Sequence, residues 1–189
     1  MLWAGAAAIV VAGIVVALAL FEPWRLFTHS TVAEALPVQV VTASVATGTP
    51  DPGVPAATAP ATAGEPGPTP PVEPMALATG AFVDGEHGTS GTASILQLPD
   101  GSRYVRLENF STSDGPDVQV WLSDKAAGGS DWGKYDDGVH LSLGELKATA
   151  GNQNYRIPAD ANLSAFSSVV IWCDRVNVAF GTAPVGLRT

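Results

Sequence analysis

The sequence predicts an all-β fold for residues 75–189, a two-layer β-sandwich of about eight strands. Short runs rich in Val, Ile, Tyr, Trp and Phe alternate there with Gly, Asp, Ser and Asn breaks. No part of that region sustains a helical hydrophobic period. The two stretches before it have other compositions, one continuously apolar and one proline-rich, which divides the chain into 1–25, 26–74 and 75–189.

The first division reads as a transmembrane anchor. Residues 2–21, LWAGAAAIVVAGIVVALALF, form a run without a charge. As a helix, about 20 residues span about 30 Å, the thickness of the hydrocarbon core of a bilayer. Trp3 and Trp24 flank the run at interfacial positions. The rival reading is a cleaved signal peptide, with AEA at 33–35 as the cleavage motif. That motif lies far beyond the end of the apolar run, and the run exceeds a usual signal core, so an uncleaved anchor is expected. An N-terminal lipid anchor is excluded, because a lipobox needs a cysteine there and Cys173 is the only cysteine.

Residues 26–74 are expected to be a juxtamembrane segment and a linker. The stretch 43–74, ASVATGTPDPGVPAATAPATAGEPGPTPPVEP, is dominated by Pro, Ala, Thr and Gly. Without apolar periodicity it has no core to offset ordering entropy, so it is expected to act as a semi-rigid tether of order 3 Å per residue. Such stalks hold domains away from membranes through a cell envelope. That places the C-terminal domain outside, although Arg25, the lone base after the apolar run, points inward on the positive-inside rule. Upstream, VQVVT at 38–42 reads either as a short strand or as a docking segment.

Charge excludes one class of partner. The formal net charge is −9, which disfavours nucleic acid. Within the sandwich region strands are expected near 79–84, 91–98, 103–110, 117–123, 138–143, 153–157, 167–173 and 176–181. Asp100-Gly101 marks a hairpin turn between two of them. Residues 126–138, AAGGSDWGKYDDG, read as a long surface loop.

The single cysteine falls at the end of the run SVVIWC. A hairpin turning at Asp174-Arg175 would set Cys173 opposite Val176, Ile171 opposite Val178 and Val169 opposite Phe180. One face then reads Val169, Ile171, Cys173, Val176, Val178, Phe180 and should be the core. The other reads Val170, Trp172, Asn177, Ala179. On this pattern Cys173 points inward as a small hydrophobe.

Four segments then carry a family resemblance: GAFVDGEHGTSGTASI, DGPDVQVWLS, LGELKATAGNQNYRIP and SVVIWCDRVNVAFGTAPV, in that order. Together they resemble the DM13 domain, a family proposed to serve extracellular electron transfer, over roughly residues 75–186. The resemblance implies a β-rich fold and a cell-surface location. It also implies a characteristic cysteine at Cys173, suggested to act as a bare redox thiol or as a ligand to a group such as haem. His87 matches a histidine of the family's first segment and is the second residue to consider for ligation.

The chemistry open to such a thiol is narrow. Reactivity needs thiolate, which Arg175 favours and Asp174 opposes. With no second cysteine, an internal disulfide is impossible, which leaves sulfenic acid, a mixed disulfide with another molecule, or metal ligation. The covalent haem signature C-x-x-C-H is absent, so a haem would be non-covalent. His140 should face solvent, alternating with Val139, Leu141 and Leu143; His29 is remote, and Met75 precedes the first strand.

HGTSG at 87–91 lacks the hydrolase elbow pattern. SDGPDV at 113–118 lacks EF-hand spacing and reads as an Asp-Gly-Pro turn. The chain is therefore expected to be a membrane-tethered, single-pass protein whose extracytoplasmic domain has a redox role through Cys173, in company with a redox partner protein. The alternative is a cell-surface binding or adhesion module in which the cysteine is structural. No nucleophile–base pair argues for an independent enzyme.

Overall fold

The structure, a computed structural model, describes residues 29–37 and 73–187. The expected span at 2–21, the VQVVT segment and most of the Pro-rich stretch lie outside the described residues. Among the described residues no helix is long and apolar enough to cross a membrane.

The fold is an all-β sandwich of two five-stranded sheets. In chain order the strands are β1 (Thr31–Ala33), β2 (Met75–Ala81), β3 (Val83–Asp84), β4 (Ser90–Gln97) and β5 (Arg103–Ser111). They continue with β6 (Val118–Ser123), β7 (His140–Glu145), β8 (Ala150–Ile157), β9 (Ser168–Cys173) and β10 (Val178–Pro184). The first sheet runs β1-β8-β5-β4-β2 and the second β3-β10-β9-β6-β7. The chain changes sheets at Phe82, which is buried between β2 and β3 and whose N–H is held by the Gly91 carbonyl at 2.9 Å.

The inner faces follow the period-2 alternation of the sequence. Ala93, Ile95, Val105, Leu107, Tyr155 and Ile157 of the first sheet meet Val118, Val120, Leu122, Val169, Ile171 and Phe180 of the second. Each such aliphatic or aromatic side chain, fully buried, stabilises by about 1.5–3 kcal/mol, which makes this interface the main source of stability. The Asp100-Gly101 turn forms as expected. Gly101 takes a φ of +83°, and the Asp100 carboxylate accepts from the Ser102 N–H at 2.8 Å.

Three expectations are corrected. The hairpin of β9 and β10 turns through four residues, 174–177, rather than two, because Asn177 adopts the left-handed region at φ 55°. Cys173 consequently pairs with Val178, and a bulge between Ala179 and Gly181 brings Ile171 opposite Gly181. Val176 is thereby released from the core and is 56% exposed. The second correction concerns the outer face of that hairpin. Val170, Trp172 and Ala179 are buried against Trp121 and Tyr135 in a second apolar cluster. The third follows from it: the 126–138 segment is not a free surface loop but the cover of that cluster, pinned by Ala179 N–H to Trp132 O (3.0 Å) and Gly128 N–H to Thr182 Oγ1 (2.9 Å).

The sandwich also recruits a segment from the far side of the linker. β1, which falls in the expected juxtamembrane stretch, lies parallel to β8 with Thr31, Val32 and Ala33 beside Ala150, Gly151 and Asn152. It covers Arg106, a residue only 3% exposed, whose guanidinium donates to Glu34 O (2.8 Å), Ala35 O (3.1 Å) and Asn154 Oδ1 (3.0 Å). The Glu34 carboxylate pairs with Lys147 Nζ at 2.7 Å and accepts the Asn154 N–H at 2.6 Å. Burial opposes that charge, but the Lys147 hydrogen bond, the Asn154 N–H and the charges of Lys147 and Arg106 outweigh it and hold the Glu34 pKa below 4.5.

Two outcomes follow. Arg106→Ala removes the donor to the Glu34 and Ala35 carbonyls just after β1 and should destabilise the protein by about 2 kcal/mol. Hydrogen exchange should then show the Glu34 amide, bonded to Asn152 O, losing protection while β9 amides keep theirs. Because the folded pKa of Glu34 is depressed, its contribution is full above the unfolded value and is lost as pH falls through the folded one. Acidification to below 4.5 should therefore free the Glu34 amide before the core opens, and Glu34→Gln should abolish that pH dependence.

Candidate functional site

Cys173 closes β9, with Val118 of β6 on one side and Val178 of β10 on the other. Its alternation with Val169 and Ile171 turns it into the inner cluster, where it is 0% exposed. Asp174, the next residue, donates its N–H to Asp117 O at 2.9 Å, so the chain leaving the thiol is tied to the Gly115-Pro116-Asp117 turn.

That turn packs over the same end of the core. Gly115 is needed there: a Cβ at this position would come within 2.8 Å of Val118 Cγ2 and 2.9 Å of Phe180 Cζ. On its other side Phe180 meets His87 edge-on, with ring centroids 4.1 Å apart. His87 is half-buried in the turn that follows β3. The segment after it is anchored through Thr89, whose N–H goes to Asp84 Oδ1 (2.8 Å) and whose hydroxyl reaches Phe180 O (3.0 Å) and Thr112 Oγ1 (2.9 Å). The FVDGEHG, GPD and VVIWC segments, far apart in sequence, thus converge on Phe180 and Val118. Cys173 and His87 share that neighbourhood, with the Phe180 ring against His87 and Cys173 in the core cluster.

Haem does not fit this arrangement. The thiol is sealed on all sides by the packed core, and a ligand could reach Sγ only by displacing it. Among the described residues no group of three or more His, Cys, Asp or Glu is placed to hold a metal ion. The Asp114 carboxylate instead accepts the Gly115 N–H at 2.8 Å, as a turn does.

The opposite face of β9 holds what sequence reasoning missed. Trp172, next in chain to Cys173 and also 0% exposed, stacks on Trp121 with centroids 4.9 Å apart. Trp121 in turn stacks on His140, at 4.0 Å and within 5° of parallel. His140 is exposed, as its alternation predicts, so the three rings form a column from the buried strand to the surface. Trp121 Nε1 donates to Gln119 Oε1 at 3.3 Å, whereas Trp172 Nε1 is buried without a partner. Tyr135, 0% exposed, closes the cluster and donates its hydroxyl to Ala126 O at 3.1 Å. The signal for this second cluster was present: SVVIWC has no polar alternation after Ser168, as in strands buried on both faces.

Comparison with known proteins gives one match. The profile of the family described as "Electron transfer DM13" matches residues 81–185. No curated protein and no solved structure matches.

The burial of Cys173 fixes its behaviour toward reagents. Thiol labelling of the folded protein should proceed no faster than global unfolding. Cys173→Ala should cost about 1 kcal/mol, and Cys173→Ser more, about 2 kcal/mol, because a hydroxyl there has no partner in a dry core. Rapid labelling of the folded chain would show that the hairpin opens.

Proposed function

The chain belongs to the DM13 family, named for electron transfer, and on that premise we propose that it is a membrane-tethered, extracytoplasmic electron-transfer domain with Cys173 as its redox group. The tether is the apolar run at 2–21, and the exported location follows from the Pro-rich stretch behind it. The observation that carries the redox reading is the position of the thiol, back to back with Trp172 at the head of the Trp172–Trp121–His140 column.

A sealed thiol cannot meet a partner's disulfide or a diffusible oxidant directly. It can exchange an electron through intervening side chains, and stacked aromatic rings are the side chains best suited to carry one. In this reading a redox partner protein docks over exposed His140 and takes one electron, drawn through Trp121 and Trp172. The thiol becomes a thiyl radical by losing that electron to the partner and its proton to water admitted by a brief opening of the 174–177 turn, since its core neighbours offer no base. Return of an electron and a proton restores the thiol. The step requires no cofactor and no second cysteine.

One observation favours a second reading, a cell-surface binding or adhesion module in which the cysteine is structural. Cys173 is as completely buried as Val169 and Ile171, its neighbours on the same face, and its packing alone accounts for its presence.

Electrochemistry of the detergent-solubilised full chain separates the two. The redox reading expects a one-electron wave that disappears in Cys173→Ala and is slowed, not shifted, in Trp121→Leu. An identical response from wild type and Cys173→Ala would leave the cysteine as packing and the binding module as the function.

A further inference from the structure

The aromatic column ends at the surface in the one ring of the three that takes up a proton. His140 lies flat on Trp121, with centroids 4.0 Å apart and planes within 5° of parallel, so its imidazole covers the indole face rather than meeting an edge. The residue is exposed at the start of edge strand β7 and exchanges protons with solvent.

An electron leaving this column leaves a positive charge on the ring that gave it up, and neither indole can shed that charge as a proton. Trp121 Nε1 donates to Gln119 Oε1 (3.3 Å), an amide oxygen that also accepts the Ser142 hydroxyl (2.9 Å) and is no base. Gln119 is itself fixed by its Nε2 bond to Asp117 Oδ1 (3.2 Å). Trp172 Nε1 is buried with no acceptor. An oxidised Trp121 is thus a cation, with His140 against it. A neutral imidazole tolerates that cation. An imidazolium at 4.0 Å repels it, and the repulsion is poorly screened because the indole is 4% exposed. In the resting protein the sign reverses: an imidazolium is attracted to the electron-rich face of the reduced indole, which favours keeping its electron.

Other charges near His140 come from the end of β6, where Asp124 and Lys125 lie against Gly138, and from Asp136 and Asp137 in the turn before β7. Asp117 lies beyond Gln119, and Glu145 ends β7 opposite Gln119. Among the described residues only His140 and Trp172 stack on Trp121, so none of these charges lies on its face.

We propose that the proton on His140 gates electron transfer: with the imidazole neutral the column conducts, and with it charged Trp121 cannot carry the positive charge and the column is shut. The inference rests on the electron-transfer reading and supplies its regulation. In the gated step Trp121 gives one electron to the docked partner, which is reduced, and becomes a cation radical. One electron from Trp172 restores it, and no proton moves at either ring.

Two titrations of the detergent-solubilised full chain test it, on wild type and on His140→Gln, a substitution at an exposed position. The first follows tryptophan fluorescence, because an imidazolium stacked on an indole accepts its excited electron and quenches it. Wild type should lose emission in a step as pH falls, and His140→Gln should lack that step. The second follows the rate of the one-electron wave. In wild type it should fall by about tenfold or more across the same pH step, beyond any trend that remains in His140→Gln. A wave whose rate ignores the fluorescence step, or changes equally in both proteins, would overturn the gate and leave the electron-transfer reading standing. No fluorescence step in wild type would also overturn the gate. No wave at any pH would instead overturn the electron-transfer reading, and the gate with it.

Discussion

Strand β9 carries apolar side chains toward both sides, so neither of its faces can be left in water. Inward, Val169, Ile171 and Cys173 enter the core between the sheets; outward, Val170 and Trp172 need a second cover. The 124–139 segment supplies that cover by folding back over the sheet, with Tyr135 fully buried and its main chain bonded to β10. The molecule is therefore three layers deep at β9, although it has only two sheets. The central position of the strand, between β10 and β6, follows from the same requirement, because an edge position could not be covered on both faces.

Much of this was legible beforehand, and the limits have physical causes. Alternation located the strands of the sandwich and turned Cys173 inward, since a period of two is a direct statement about which face is buried. The register of the last hairpin was not legible, because a left-handed Asn177 and a bulge before Gly181 are backbone choices that hydrophobic pattern does not encode. The outer cluster escaped for a related reason. Val170 and Trp172 were given only as the face opposite the core, because the residues that cover them, Trp121 and Tyr135, come from segments far away in the chain. β1 left the weakest trace of all: three residues, paired in parallel across a long separation, recognised by a buried arginine rather than by apolar burial.

The candidate site repeats that division. The convergence of the GPD turn, the His87 turn and the end of β9 on Phe180 depends on tertiary packing, and only the spacing of Gly115 and Pro116 hinted at a sharp bend. The aromatic column was visible in composition but not in arrangement. The matched family region begins at residue 81 and ends at 185, so it contains the thiol, His87 and the whole column, whereas β1 and the chain leading from it lie outside it. The β8 edge that β1 pairs with, together with Arg106, Lys147, Gly151 and Asn154, lies inside.

The placement of β1 also has a mechanical consequence. Any pull on the chain upstream of Ser30 acts on a three-residue parallel pairing before it reaches the sandwich. Those few hydrogen bonds, with the Glu34–Lys147 pair, would yield at a force too small to disturb the core. Their rupture would put the sequence between Pro37 and Glu73, of order 100 Å when extended, between the pull and β2. The short strand thus behaves as a fuse in series with the domain: it yields before the sandwich does, and it re-forms when the strand finds its edge again.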